Sequence, residues 1–144
     1  MCFELFIVPT IPSKASPERL SRSSGLYVEK QRRPVAGALH VSVDGSCSCS
    51  LLSDDADWEA STWQLDPEVL RGLERTLRLV HDEAGGFTFQ ALWMGDSPET
   101  EGHAQLREVL DDVANNRVRN RHVYIVGKQP VRSFPSAELR LVRG

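Results

Sequence analysis

Phe87-Thr88-Phe89-Gln90-Ala91-Leu92-Trp93-Met94 reads as a β-strand with a helical pattern on either side of it. Phe87, Phe89, Ala91 and Trp93 share one face by the two-residue period, and Leu92 and Met94 make the far end apolar on the other. A strand covered on both faces has this pattern. Upstream, Leu65-Asp66-Pro67 opens a helix. Asp66 can cap the first-turn amides, and Pro67 fits the first helical position, where no N–H bond is lost. Leu70, Leu73, Leu77 and Val80 follow at helical spacing. His81 lies in the last turn, and Gly85-Gly86 stops the helix. Downstream, the turn Gly95–Thr100 leads to a second helix with Leu106, Val109, Leu110, Val113 and Ala114 as its stripe, ended by Asn115-Asn116. His122–Gly127 is then a β-branched strand.

Two further strands precede the first helix, at Glu4–Val8 and Ala38–Val43. From Ala38 onward the order is strand, helix, strand, helix, strand, which predicts parallel pairing through right-handed crossovers. A βαββαβ order needs a hairpin between its helices, and only one strand fits between Ala84 and Thr100. The expected fold is therefore a single-domain α/β protein over residues 1–144. It has a mixed sheet of about five strands with a parallel centre and two main helices. The first strand and a last one at Ala137–Val142 are expected at its edges. The Ser-rich, basic stretch near residues 13–34 reads as a flexible loop, with one helical turn opened by Ser16-Pro17 and a short strand at Leu26–Lys30.

Apolar residues are 40% of the chain and charged ones 26%, a balance that excludes a disordered or membrane-spanning class. The opening Cys2–Pro9 run is too short for a signal peptide and carries Glu4, so a reducing cytoplasm is the expected compartment. Three cysteines make no disulfide framework there. The net charge of −3 is uneven, with an acidic middle between basic ends. Arg117, Arg119 and Arg121 form an anion-binding stripe if their segment is extended. Arg32 and Arg33 add to a basic surface, but overall acidity makes nucleic-acid binding the weakest expectation.

The chemistry concentrates after Ala38–Val43, where Asp44-Gly45 turns the chain into Ser46-Cys47-Ser48-Cys49. Two thiols at i and i+2 in an extended segment share a face and suit one soft metal such as zinc or Cu(I). In an open parallel sheet ligands sit beyond the carboxyl ends of the strands. That edge gathers Cys47, Cys49, Asp96, Ser97 and Lys128. Cys2 joins them if the first strand runs antiparallel to Ala38–Val43, and His103 is then the candidate fourth metal ligand. His40 reads as a satisfied sheet-face histidine. The acidic loop Asp54–Glu59 lacks the spacing of a calcium loop and reads as solvated.

Met1-Cys2, His40-Val41 and Gly45-Ser46-Cys47-Ser48-Cys49 resemble a small uncharacterised bacterial family. That family starts with Met-Cys and carries a His-Val strand running into Gly-x-x-Cys-Gly-Cys-Gly. Here Ser46 and Ser48 stand where the family has glycine. The resemblance implies only that Cys2, Cys47 and Cys49 belong together.

No nucleotide-binding, hydrolase or zinc-protease motif is present in the sequence. The leading expectation is a non-enzymatic binding or interaction module, with a protein partner met through Trp58 and Trp63 beside the acidic loop. Its alternative is a soft-metal or thiol-redox site on Cys47 and Cys49.

Overall fold

The computed structural model describes residues 2–32, 35–57 and 59–128. Arg33, Trp58, Gln129 and the expected strand at Ala137–Val142 lie outside them. The chain begins with β1 (Phe3–Pro9), α1 (Pro17–Ser24), β2 (Tyr27–Gln31) and β3 (Ala38–Ser42). The short β4 (Thr62–Trp63) leads to α2 (Pro67–Ala84) and β5 (Gly86–Trp93). β6 (Thr100–Ala104), α3 (Leu106–Ala114), β7 (Val118–Arg119) and β8 (His122–Gly127) follow. Six strands form one mixed sheet in the order β2-β3-β1-β5-β8-β6. β4 and β7 pair separately. Among the described residues no helix is long and apolar enough to cross a membrane.

The α/β class and the mixed sheet agree with the sequence reading, but parallel pairing lies at an edge and not in the centre. β1 runs antiparallel to both β3 and β5, and β5 antiparallel to β8. Among the described residues only β6 and β8 are paired in parallel, joined by α3. The difference traces to the segment read as a flexible basic loop. Ser16 Oγ accepts from Arg19 N at 3.3 Å, Pro17 takes the first helical position, and Gly25 at φ +75° ends an eight-residue helix. β2 then forms a hairpin with β3. The hairpin that a βαββαβ order requires thus lies between α1 and α2. Strands β1, β2, β3 and β5 with α1 and α2 adopt the ferredoxin-like split-βαβ order, and β6-α3-β8 extends that sheet.

α2 is built as its sequence dictates. Asp66 Oδ1 accepts from Glu68 N at 3.0 Å, and Gly85 adopts φ +81°. Its buried stripe is Val69, Leu73, Thr76, Leu77, Val80 and Ala84, so Val69 replaces Leu70 as the first inward residue. α1 packs on α2 and α2 on α3, which makes a helical layer over one face of the sheet. Phe3, Leu5, Ile7, Leu39, Val41, Phe87, Phe89 and Tyr124 meet the helical stripes there. On the other face Val8, Ala38, Val123 and Ile125 form a second cluster with Val35 and Phe6.

Candidate metal centre

β3 stops at Ser42, and Gly45 at φ +88° turns the chain back. The Asp44 carboxylate fixes the turn by accepting from Ser46 N at 3.1 Å. A 3-10 turn, Ser48–Leu51, then lies beside the part of β1 that β3 has left. Side chains take over there from a missing strand. Phe3 N donates to Cys49 Sγ at 3.1 Å, and Cys47 Sγ donates to Phe3 O at 3.3 Å. Leu5 N donates to Ser48 Oγ at 3.1 Å. Three consecutive side chains thus satisfy backbone groups that would otherwise be orphaned at an internal strand edge.

Because β1 is antiparallel to β3, its start and the end of β3 lie at the same end of the sheet. This brings Cys2 to the turn. The Sγ atoms of Cys2, Cys47 and Cys49 all lie within 4.8 Å of one another, and each residue is half-buried. Cys47 Sγ lies 3.1 Å from Cys49 Sγ and accepts from Cys49 N at 3.4 Å. Burial pushes the Cys47 thiol up to about 12; the Cys49 N–H opposes this, and the Cys49 and Cys2 thiols add to it. A bound cation reverses that balance, since a coordinating thiol is deprotonated outright.

Beneath the thiols lies a buried polar knot. His40 is 3% exposed, and its Nε2 sits 2.8 Å from Glu4 Oε2 and 3.0 Å from Ser48 Oγ. Ser48 Oγ gives its one proton to Val41 O at 2.6 Å. It therefore accepts from both Leu5 N and His40, which places a proton on Nε2. In a hydrolytic relay the serine and the acid bracket opposite nitrogens of the imidazole. Here Ser48 and Glu4 both meet Nε2, Glu29 Oε1 lies 3.8 Å from Nδ1, beyond hydrogen-bond reach, and the Ser48 proton is given to Val41 O, so the knot holds the turn in place. Ser48→Ala leaves Leu5 N and Val41 O without their partner. At about 1–3 kcal/mol per orphaned group, we expect a loss of about 3 kcal/mol in urea unfolding; a loss under about 1 kcal/mol contradicts this role.

The other residues expected at this edge are distributed differently. Met94 N donates to Cys2 O at 2.7 Å, so the loop after β5 begins beside the cluster. Asp96 in that loop is committed to Arg121, with Oδ2 3.3 Å from Nε, and Ser97 is exposed. Lys128 follows Gly127, which pairs with Gly86 at the other end of β5, a strand's length from Cys2. Parallel strands would put it at the cluster edge, and the antiparallel β5–β8 pairing reverses it. His103 is excluded as a fourth ligand for the same kind of reason. Its row across the sheet runs through Ile125 and Thr88 to Val8. That is three strands over and six residues along from Cys2, about 25 Å away at standard spacings.

Arg117, Arg119 and Arg121 do not form a stripe. Arg121 at φ +57° turns the segment. Arg117 pairs with Asp111 at 3.1 Å and Asp112 at 3.6 Å, and Arg121 with Asp96 and Glu99. Arg119 instead faces His122, with Nη1 3.5 Å from Nε2. His122 and Tyr124 line a cleft of about 360 Å³ with His103, Glu108, Asp112 and Arg119. Burial, then Arg119, lowers the His122 pKa below its ordinary value, and burial raises that of Tyr124, whose hydroxyl donates to Asp112 at 3.0 Å. Trp63, expected as a surface anchor, is 1% exposed and belongs to the core. The sequence reading missed the Glu4–His40–Ser48 knot. Its only signal is the alternation of Ser48 with two cysteines, and its partners come from three separate segments.

Comparison with known protein families, with curated proteins and with solved structures finds no match to this chain.

Proposed function

We propose that this chain is a non-enzymatic binding module for a soft metal ion held by the thiolates of Cys2, Cys47 and Cys49. The observation that carries the reading is the convergence of three Sγ atoms within 4.8 Å from two segments more than forty residues apart. Among the described residues it is the one group of three His, Cys, Asp or Glu side chains so arranged. Metal–sulfur bonds of about 2.3 Å hold coordinated sulfurs a little under 4 Å apart. Small movements of the half-buried thiols reach that spacing, with the 3.1 Å Cys47–Cys49 separation opening. Soft thiolate donors select Zn(II) or Cu(I) over hard cations. Backbone N–H groups from Phe3 and Cys49 already point at Cys49 and Cys47, and such bonds temper the charge of coordinated sulfurs. Three protein ligands leave one position of a tetrahedral ion for a further donor. Structural zinc sites are closed by four.

The test is metal content by elemental mass spectrometry, with a free-thiol count, on untagged protein purified without oxygen and then offered Zn(II) or Cu(I). About one ion per chain is expected in the parent protein, and none in Cys47→Ser/Cys49→Ser. No uptake of either ion together with three freely titrating thiols overturns the proposal.

A further inference from the structure

We propose that Met94 supplies a thioether as the fourth ligand of this site and that the ion it selects is Cu(I). The inference rests on the three-thiol reading and narrows it to one metal. Phe3 pairs with Trp93 in the β1–β5 ladder, and the next antiparallel pair is Cys2 with Met94, continued by the 2.7 Å bond from Met94 N to Cys2 O. Residues directly opposite one another share a face of the sheet, with Cβ atoms about 5 Å apart. Trp93 belongs to the opposite face, where its ring lies 5.9 Å from Trp63, so the pleat puts Met94 on the side of Cys2.

Met94 is 59% exposed, the most exposed of the large apolar side chains among the described residues. An unbranched side chain with three rotatable bonds can swing its sulfur over a neighbouring site. In this position it contributes little to the core, and its cross-strand neighbour is a thiol of the cluster. Chemistry favours a neutral donor here. Three thiolates already crowd negative charge, and a fourth anionic ligand would add repulsion. A thioether completes the shell without charge. Zn(II) is bound by thiolate, imidazole and carboxylate, whereas thioether together with thiolate is a Cu(I) donor set.

The experiment measures Cu(I) affinity by competition with a chromophoric Cu(I) chelator under reductant, and Zn(II) affinity with a chromophoric Zn(II) chelator. Both are done in the parent protein, Met94→Leu and Cys47→Ser/Cys49→Ser. Leucine keeps the volume and the fold while removing the sulfur. Cu(I) binding is expected to weaken about tenfold or more in Met94→Leu, with Zn(II) binding changed less than about twofold. In protein made with selenomethionine, copper X-ray absorption should show a Cu–Se contact that is lost in Met94→Leu, which separates Met94 from Met1. Equal Cu(I) affinity in Met94→Leu without a Cu–Se contact overturns the role of Met94 and leaves the three-thiol site standing. A parent protein that binds Zn(II) but not Cu(I) overturns the choice of metal. Retention of either ion by the double serine variant overturns the underlying site instead.

Discussion

Trp63→Ala is expected to lower the stability of the protein by about 4 kcal/mol, in the range found for emptying a buried aromatic site. The indole is 1% exposed and packs between Phe3, at a ring separation of 4.4 Å, and Trp93, at 5.9 Å. Its Nε1–H donates to Ala91 O at 2.8 Å, a bond that alanine cannot make. The neighbours cannot readily collapse into the void, because Phe3 and Ala91 are held in the β1–β5 ladder, paired with Trp93 and Leu5. Against a total of about 5–15 kcal/mol for a domain of ordinary stability, such a loss removes much of the margin. The urea midpoint should fall by about 2 M. A loss under about 1.5 kcal/mol would show that the site relaxes or that the indole is not buried. Phe3 carries the amide that bonds Cys49, so the same variant should also loosen the thiol cluster and weaken metal binding.

How far the sequence could be read depended on whether a signal was local. α2 was legible because Asp66, Pro67 and Gly85 act within one turn of their own positions. α1 was reduced to a single turn, since an eight-residue helix with Leu20 as its one buried side chain shows no periodicity. β6, Thr-Glu-Gly-His-Ala, has no apolar pattern because it is an edge strand held by its ladder to β8. Missing α1 as a helix hid the hairpin that makes the central sheet antiparallel. The wrong placement of Lys128 follows from the hidden hairpin, and that of His103 from β6, whose middle it occupies. The three thiols escaped both, because their meeting depended only on β1 opposing β3, and that condition was stated from the sequence. Ser48 and Met94 needed the register itself, since their partners are fixed by strand pairing and not by spacing along the chain.

Loading the parent protein with its metal at a free concentration a thousandfold above Kd should stabilise it by about 4 kcal/mol. At about 3 °C per kcal/mol for a chain of this size, Tm should rise by about 12 °C. The coupling follows from topology. Cys2 lies at the head of β1, and Cys47 and Cys49 lie in a turn reached only after α1 and the β2–β3 hairpin. An unfolded chain must close a loop of that length before all three sulfurs can share an ion, so binding favours the folded state. Cys47 and Cys49 by themselves can hold the ion weakly in the unfolded chain, which makes 12 °C an upper value. The shift should also depend on pH with a definite sign. Cys47 holds its proton up to about 12 without metal, so binding must expel it. Lowering the pH restores proton competition, and each proton released weakens apparent binding about tenfold per pH unit. At a fixed free metal concentration the rise in Tm should therefore be larger at pH 8 than at pH 6. Scanning calorimetry on the parent protein and on Cys47→Ser/Cys49→Ser decides the matter. A shift of the same size in both would place the ion elsewhere, and a pH-independent shift would mean that it binds without displacing a thiol proton.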